Sequence, residues 1–225
     1  INKLPIIIHV YKRAKLSKLA SDVVICCDDI KILKEVKKYG AKAVITSKHH
    51  KNGTERICEY LKNSKINYDL IVDVQGDEPL VSPEHIDKVI EYHLKNNDVD
   101  IILPNLKIKP TNNTNIVKLV VNKKNDVIYI SRANIPFEFR NKNKFLRKHL
   151  SIVSFKVDAL LKFCKSKIGN LEKVEDIELL RALEIGLKIK TIDLKGDSFS
   201  VDVFDDYVKA KIKIKSDKYF KLYNQ

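Results

Sequence analysis

The chain has 225 residues, 44% of them hydrophobic, so it can bury a substantial core. Its 43 basic and 29 acidic residues give a formal charge of +14, but the lysines are scattered and arginine is scarce, which favours small phosphate-bearing partners over a specific nucleic acid. No apolar run approaches the roughly 20 residues of a membrane span, so we expect a cytoplasmic protein without a membrane partner.

The first 95 residues predict alternating helices and strands. An apolar run from Ile6 to Val10 leads into a basic helix, and the apolar run from Asp22 to Cys27 is typical of a buried parallel strand. Asp28 or Asp29 then caps a helix that stops at Gly40. Further strands are predicted over 43–46 and 70–74, with helices after the polar loop 47–53 and from Ser82-Pro83, which has the stripe Ile86, Val89, Ile90 and Leu94. This order predicts a largely parallel sheet covered by helices.

After about residue 100 the pattern changes to short strands separated by turns rich in Asn, Lys and Pro. Predicted strands cover 101–106, 117–121, 127–131 and 151–157. Helical spacing returns over 157–163 and 175–185, a strand follows over 189–194, and a basic amphipathic helix begins at Asp205, packed through Tyr207, Val208, Ala210 and Ile212. We interpret residues 101–156 as a β-rich lobe of the kind that serves dimerisation, within one domain spanning 1–225.

The cysteines predict no metal or disulfide framework. Cys26, Cys27, Cys58 and Cys164 have neither C-x-x-C spacing nor a paired His motif, so we expect reduced core residues. The chain opens with Ile1 and contains no Met, which predicts a fragment or a processed chain.

The turn Gln75-Gly76-Asp77-Glu78-Pro79 follows an apolar strand and is the most informative stretch of the sequence. Ligands of α/β sheets bind beyond the carboxyl ends of the strands, and Gly76 would let the backbone approach one closely. Asp77 and Glu78 carry the hard oxygen atoms that Mg²⁺ prefers. An ordinary solvated turn is the alternative. The G-x-G-x-x-G and G-x-x-x-x-G-K-[ST] fingerprints are absent from the sequence, which weakens a dehydrogenase or ATPase interpretation.

Six motifs occur in order along the chain, and together they resemble the 3-deoxy-manno-octulosonate (Kdo) cytidylyltransferases, also called CMP-Kdo synthetases. They are His50–Arg56, Val74–Leu80, Asn115–Lys118 with Tyr129–Pro136, His149–Phe155, Leu171–Gly186 and Val201–Asp206. The resemblance implies an α/β, Rossmann-like three-layer nucleotidyltransferase fold with a mixed, mostly parallel sheet and a smaller β-rich dimerisation lobe. It also implies a homodimer.

The activity implied by the resemblance is transfer of CMP from CTP to the anomeric hydroxyl of Kdo, with release of pyrophosphate, for lipopolysaccharide synthesis. This chemistry needs a divalent cation because the reacting groups carry or develop negative charge. The family's catalytic Mg²⁺ positions fall on Asp77 and Asp202. For Asp202 an N-terminal helix cap is the alternative.

The remaining site residues are also carried over from the family. Those implied to bind the sugar acid are Gln75, Arg132, His149, Glu172 and Glu175. Those implied to bind the nucleotide are Gly53, Thr54, Glu55, Arg56 and Gly76. A guanidinium fork suits a carboxylate, whereas a structural histidine is the alternative for His149, placed in a loop, and a solvated helix start is the alternative for Glu172 and Glu175.

The chain departs from the family pattern in four places. Family members begin with a strand and the loop A-R-x-x-S-x-R-L-P-G-K, which contacts the CTP phosphates, whereas here the match starts near Pro5. The resemblance therefore implies that the first strand and the phosphate loop are absent. The other departures are Asn52 in place of Ser, the loss of the Gly and the Tyr pair within Leu150–Phe155, and Val203-Phe204 in place of Thr-Pro.

These departures leave two alternatives open. One is a catalytically inactive truncated homologue that only binds a ligand or partner. The other is a sialic-acid-type or other sugar-acid cytidylyltransferase, although Gly53-Thr54-Glu55-Arg56 favours Kdo.

Overall fold

The computed structural model describes residues 1–198 and 200–224. These residues group into two compact units. The first comprises residues 1–66 and 74–90 together with the C-terminal residues from Ser198, and the second comprises residues 67–73 and 91–197.

Helices pack on a two-stranded parallel sheet in the first unit. Its strands are β1 (Ile25–Cys27) and β2 (Ala43–Ile45), with Ile25 opposite Ala43. Its helices up to residue 95 are α1 (Ile6–Ala14), α2 (Ile30–Lys37), α3 (Gly53–Asn63) and the first part of α4 (Pro83–Lys95). The core of this unit joins α1, β1 and α2 through the buried residues Ile8, Ile25, Val36 and Ala41.

The helix boundaries of this part follow the predicted caps. The carboxylate of Asp29 accepts a hydrogen bond from the Lys31 amide at 2.7 Å, so Asp29 is the N-cap of α2. Gly40, with a φ of +70°, follows the end of that helix. Ser82 Oγ accepts from the His85 amide at 3.4 Å at the start of α4. These three predictions are confirmed.

The buried stripe of α4 differs from the prediction at its last turn. Leu94 is 49% exposed, so its predicted burial was wrong, whereas Ile86, Val89 and Ile90 are buried. His93 takes the buried position instead, because its ring bonds to Ser154 Oγ at 2.8 Å and to the Val99 carbonyl at 3.2 Å.

Two mixed sheets form the second unit. In chain order its strands are β3 (Leu70–Val74), β4 (Ile101–Ile102), β5 (Asn105–Ile108), β6 (Lys118–Val121), β7 (Val127–Ser131), β8 (Leu146–His149), β9 (Ile152–Lys156), β10 (Ile189–Lys190) and β11 (Asp193–Leu194). Its helices after α4 are α5 (Val157–Lys165), α6 (Asn170–Glu175) and α7 (Leu179–Glu184). The sheet orders are β10-β4-β9-β3 and β11-β5-β8-β6-β7.

Each of these sheets combines parallel and antiparallel pairs. The pairs β10·β4 and β11·β5 are parallel. The pairs β4·β9, β5·β8, β6·β7 and β6·β8 are antiparallel. The predicted α/β architecture with a mixed sheet is confirmed.

Several predicted elements of the second unit are divided or shifted. The strand over 101–106 is interrupted at Pro104, which cannot donate a ladder hydrogen bond. The helix predicted over 175–185 begins only at Leu179, because Asp176 adopts the left-handed conformation, with a φ of 53°, and ends the preceding helix α6. His149 does not lie in a loop, because it is the last residue of β8, a strand that the charged sequence Leu146–His149 conceals.

The chain returns to the first unit at its C-terminus. There α8 (Phe204–Lys213), a 3₁₀ turn (Ile214–Ser216) and α9 (Phe220–Tyr223) follow one another. The predicted packing of α8 was right for Tyr207 and Ala210 but wrong for Val208 and Ile212, which are 39% and 65% exposed. Ile1, Ala210 and Ile214 form the buried cluster, since 210 and 214 lie one turn apart on the same face. Over the two described ranges, none of the helices has the length and apolar character that crossing a bilayer requires.

Candidate active site

The acidic turn after β3 holds a carboxylate with one buried oxygen atom. Asp77 Oδ1 is buried and has no hydrogen-bond partner within residues 1–198 and 200–224. Burial, and after it the negative charges of Glu78 and Asp202, raises the pKa of the Asp77 carboxyl. Because buried polar atoms are normally hydrogen-bonded, this oxygen is a candidate ligand for a cation.

The backbone brings Asp202 to the same turn. The Val201 amide donates to the Asp77 carbonyl at 3.0 Å, and the exposed Asp202 accepts from Ser200 Oγ at 2.7 Å. The N-cap of α8 is Val203, so the alternative role of Asp202 as the helix cap was wrong. The two carboxylates predicted to bind metal are therefore neighbours.

Glu78, the second acidic residue of the turn, has a structural role. It is 4% exposed, and Ser198 Oγ donates to its Oε2 at 2.5 Å. The two residues are 120 positions apart in the sequence. Glu78 thus fastens the segment that carries Asp202 to the turn that carries Asp77.

The donor set fits Mg²⁺ if substrate oxygens complete it. In the part of the chain that the structure describes, three or more His, Cys, Asp or Glu side chains nowhere converge as a metal site would require. Mg²⁺ is usually held by one or two carboxylates together with substrate phosphates and waters. Asp77 and Asp202 are two carboxylates of this region that could fill that role.

Gln75 gives the turn a side-chain amide, and Gly76 gives it a closely packed backbone position. Gln75 is exposed at its start. A Cβ at Gly76 would lie 2.7 Å from Cδ1 of Ile7, so glycine permits the close packing of α1 against this turn.

The start of α3 carries the predicted nucleotide-binding motif from Gly53 to Arg56. Asn52 Oδ1 accepts from the Glu55 amide at 2.9 Å, and the Glu55 carboxylate accepts from the Lys51 amide at 3.1 Å. This reciprocal arrangement is a variant of the capping box. It explains why Asn52 can replace Ser, because both residues are good N-caps. Thr54 is buried in the first turn, with 1% exposure.

Arg56 donates hydrogen bonds to residues that follow the carboxyl ends of β1 and β2. Its Nη2 donates to Asp28 Oδ2 at 2.8 Å, and its Nη1 donates to Thr46 Oγ1 at 2.8 Å and to the Ser47 carbonyl at 3.2 Å. Asp28 was proposed only as a helix cap, and its position after β1 was the signal for this second role.

In the second unit, Arg132 and Glu175 form one network. Glu175 accepts from Ser131 Oγ at 2.6 Å and from the Arg132 amide at 3.0 Å. The Arg132 guanidinium donates to the carbonyls of Glu175 at 2.8 Å and Asp176 at 3.1 Å. Its side chain is 35% exposed. Arg132 is thus held by backbone carbonyls, and the exposed Asp176 carboxylate lies 3.9 Å from its Nη2.

Glu172 lies in a buried ion pair. Arg181 Nε and Nη2 donate to its two oxygens, each at 2.6 Å, and Arg181 lies over the Phe163 ring, 4.4 Å from the centroid. A sugar hydroxyl would have to share these oxygens with Arg181. Glu172 and Glu175 both lie in α6, as predicted, and both connect elements of the fold.

His149 ends β8 with one ring nitrogen unsatisfied. Its Nδ1 is buried and has no partner in the two described ranges. Burial, followed by the positive charges of Lys148 and Arg132, lowers the pKa of His149 to about 4. The ring is therefore neutral at pH 7, with one nitrogen that accepts and one that donates.

Lys118 is a residue of this region that the sequence interpretation did not assign. It is 1% exposed, and its Nζ donates to the carbonyls of Asn113 at 2.9 Å and Arg132 at 2.5 Å. Burial, followed by the charge of Arg132, lowers the pKa of Lys118. Its place in the motif Asn115–Lys118 was the available signal.

The predicted site residues thus divide between the two units. The first unit holds Gly53, Thr54, Glu55, Arg56, Gln75, Gly76, Asp77 and Asp202, and the second holds Arg132, His149, Glu172 and Glu175.

Comparison with known proteins gives a consistent picture. A family model described as cytidylyltransferase matches residues 1–189. The chain is 39% identical to the 3-deoxy-manno-octulosonate cytidylyltransferase of Thermodesulfovibrio yellowstonii over 221 residues, covering 92% of the chain and 87% of that protein. It is 35% identical to the 8-amino-3,8-dideoxy-manno-octulosonate cytidylyltransferase of Shewanella pealeana, covering 92% and 86%.

A solved structure supports the same relationship. It is a CMP:2-keto-3-deoxy-manno-octonic acid synthetase complexed with CTP, with a TM-score of 0.87 and 26% identity. The match covers 94% of this chain and 88% of that one. The predicted nucleotidyltransferase fold is confirmed.

Proposed function

Because the chain belongs to the cytidylyltransferase family, among the Kdo cytidylyltransferases, we propose that it transfers CMP from CTP to Kdo for lipopolysaccharide synthesis. The anomeric oxygen of Kdo bonds to the α-phosphorus of CTP while the bond from that phosphorus to the pyrophosphate oxygen breaks. The hydroxyl proton passes to water, and pyrophosphate is released.

One observation carries this proposal beyond the family assignment. Asp77 Oδ1 is buried and unpartnered in the described chain, next to the carboxylate of Asp202. Such an arrangement is costly for a free protein and useful only when a cation is bound.

Asp77 and Asp202 would hold Mg²⁺ in this proposal. When bound, Mg²⁺ supplies positive charge that offsets the charge of the triphosphate and makes the acceptor hydroxyl more acidic. The backbone hydrogen bond from Val201 to Asp77 keeps the two carboxylates together. The hydrogen bond between Glu78 and Ser198 holds the same two segments together.

Arg132, His149 and Gln75 would bind the sugar acid. The guanidinium of Arg132 offers charge to the carboxylate, and the neutral ring of His149 offers a hydrogen bond to a hydroxyl. Glu172 and Glu175 would act through Arg181, Ser131 and Arg132, and their remaining lone pairs could accept from sugar hydroxyls.

Gly53, Thr54, Glu55 and Arg56 would face the nucleotide together with Gly76. Asn52 and Glu55 fix the start of α3, whose N-terminal N–H groups favour an anion.

The acceptor differs among the relatives, because one of them is named for an 8-amino sugar acid. A competition between Kdo and its 8-amino-3,8-dideoxy analogue decides which acid is used. We propose Kdo, and the acceptor with the higher kcat/KM identifies the substrate.

Pyrophosphate release from CTP and Kdo in the presence of Mg²⁺ tests the proposed reaction. We expect Asp77→Asn and Asp202→Asn each to reduce kcat/KM by at least about a hundredfold, since each removes a charged ligand. Asp205→Asn is the matched control, because Asp205 is exposed in the first turn of α8. Turnover that survives both substitutions at the control's rate would contradict the proposed metal site.

We also propose a homodimer in the cytoplasm. Phe137 and Phe139, each 83% exposed, lie in the β-rich lobe with Ile128, 60% exposed, and exposed apolar clusters often mark interfaces. Sedimentation should give a dimer that Phe137→Ser/Phe139→Ser converts to a monomer. Leu222→Ser, at an exposed apolar position of α9, is the control and should leave the dimer intact.

Buried thiols such as Cys27 suit a reducing compartment, which cell fractionation would check.

A further inference from the structure

A buried lysine joins two segments at one end of the β6–β7 hairpin. Lys118 is the first residue of β6 and the register partner of Ser131, the last residue of β7. It is 1% exposed, and its Nζ donates to the carbonyl of Asn113 at 2.9 Å and to that of Arg132 at 2.5 Å. Asn113 lies before β6 and Arg132 lies directly after β7. One ammonium group thus holds together the segment that enters the hairpin and the segment that leaves it.

The main chain of Arg132 is bound on both sides by groups of opposite charge. Its N–H donates to Glu175 Oε2 at 3.0 Å, whereas its carbonyl accepts from Lys118 Nζ. The other oxygen of Glu175 accepts from Ser131 Oγ at 2.6 Å. Hydrogen bonds in which one partner is ionised are stronger than those between neutral groups. The backbone of Arg132 is therefore held in one position.

The segment that Lys118 holds before β6 also reaches the guanidinium of Arg132. Arg132 Nη1 donates to the carbonyl of Thr114 at 3.4 Å, and Thr114 follows Asn113 in the chain. Lys118 therefore contacts Arg132 directly at its carbonyl and, through residues 113–114, supports one end of its guanidinium.

A charged lysine is costly at this place. Burial, followed by the positive charge of Arg132, lowers the pKa of Lys118, whereas the carboxylate of Glu175 raises it. The carboxylate of Asp176 lies 3.9 Å from Arg132 Nη2, but it is fully exposed, so solvent weakens its charge. A neutral donor could satisfy the two carbonyls without repelling Arg132. Ionisable groups held under such conditions are typical of functional sites.

We infer that Lys118 is a positioning residue that fixes the backbone and the guanidinium of Arg132 for the carboxylate of the acceptor sugar. Because Lys118 is buried and bonded to two backbone carbonyls, it acts through Arg132 and not on the substrate. The link to the sugar carboxylate rests on the proposed function, whereas the ordering of Arg132 by Lys118 does not.

Kinetics of Lys118→Met test the positioning role. The substitution keeps an unbranched apolar side chain and removes the ammonium group. We expect KM for the sugar acid to rise about tenfold and KM for CTP to stay within about twofold, because only the contacts of Arg132 are lost. Lys124→Met is the matched control, since Lys124 is exposed in the turn at the opposite end of the same hairpin, and it should change neither KM. An unchanged KM for the sugar acid in Lys118→Met, or equal increases for both substrates, overturns the inference.

A double-mutant cycle tests whether Lys118 acts through Arg132. Arg132→Met removes the guanidinium that Lys118 is inferred to position. Adding Lys118→Met to that variant should then raise KM for the sugar acid by less than about twofold more. A second tenfold increase would show that the two residues act independently, which contradicts the inference.

The ordering of Arg132 can also be measured without turnover. Its Nε donates to the Glu175 carbonyl at 2.8 Å, so the Nε–H should exchange slowly with solvent. Side-chain ¹H–¹⁵N correlation spectra follow this exchange, and the signal that Arg132→Lys removes belongs to Arg132. We expect exchange at least about tenfold faster in Lys118→Met and no change in Lys124→Met. Equal exchange in Lys118→Met and the unmodified chain overturns the inference.

Two provisions keep these tests decisive. If Lys118→Met does not fold, Lys118→Gln, which is also neutral, is judged by the same KM ratio and the same exchange rate. If the unmodified chain turns over no sugar acid, the proposed function fails, while the exchange of the Arg132 Nε–H still decides whether Lys118 orders Arg132.

Discussion

Substitution of Asp77 by Asn should make the free protein more stable while it abolishes activity. Asp77 Oδ1 is buried without a partner in the described residues, and Glu78 and Asp202 add negative charge nearby. An unsatisfied buried polar group costs about 1–3 kcal/mol. An amide retains the shape but lacks the charge, so we expect the free energy of unfolding to rise by about 1 kcal/mol at pH 7.

The gain in the free energy of unfolding should depend on pH, because folding shifts the pKa of Asp77 upward. Because folding raises the pKa of Asp77, the folded state binds its proton more tightly than the unfolded state does. The wild-type residue therefore costs nothing extra below the unfolded pKa of about 3.9, and the cost appears as pH rises through the folded pKa. The advantage of Asp77→Asn should accordingly grow from acidic to neutral pH.

Urea denaturation at several pH values measures this difference. With a slope of about 3 kcal/mol/M, a gain of 1 kcal/mol moves the midpoint up by about 0.3 M. Asp205→Asn, at an exposed site, should change the free energy of unfolding by less than about 0.5 kcal/mol. A loss of stability in Asp77→Asn at pH 7, or a gain that does not depend on pH, would refute the reasoning.

Three other outcomes follow from the contacts described above. Glu172→Leu should lower the free energy of unfolding by about 3 kcal/mol, because it leaves Arg181 buried without this carboxylate. In a double-mutant cycle, Glu172→Leu/Arg181→Met should recover part of that loss. Equal losses of stability in the single and double variants would contradict the coupling. Folding lowers the pKa of His149 to about 4 from its ordinary 6.5. The stability that His149 contributes, up to about 3 kcal/mol, is therefore present above pH 6.5 and is lost as pH falls toward 4. His149→Gln should flatten that part of the stability–pH curve, and an unchanged curve would contradict this role of His149. Asn52→Ala should cost about 1 kcal/mol in chemical denaturation and Asn52→Ser close to nothing, since only the first removes the cap of α3; equal costs would show that the cap is not what stabilises this helix.

The local elements with a defined chemical signal could be predicted from the sequence. Asp29, Ser82 and Gly40 mark helix boundaries by capping rules, and these boundaries are where the rules place them. The late start of the helix predicted over 175–185 could not be foreseen, because nothing in the periodicity shows that Asp176 leaves the helical conformation.

The pairing of site residues depends on contacts that periodicity does not encode. Glu172 and Arg181 are nine positions apart, which does not place them on one face of a continuous helix, and they meet because α6 ends between them. His149 takes its place through the pairing of β8 with β5, and the strand of His149 was not predicted. Asp77 and Asp202 were paired through the family resemblance, and their proximity in space comes from the backbone bond at Val201.

The hydrogen bond between Glu78 and Ser198 also bears on the order in which parts of the protein form during synthesis. A ribosome releases the residues of the acidic turn long before it releases Ser198, 120 positions later. During that interval the second unit, whose residues end before Ser198, emerges completely, and domains generally fold as units during synthesis. Asp77 and Asp202 can therefore meet only after residues 198–202 have emerged, so the proposed cation site forms later than the second unit.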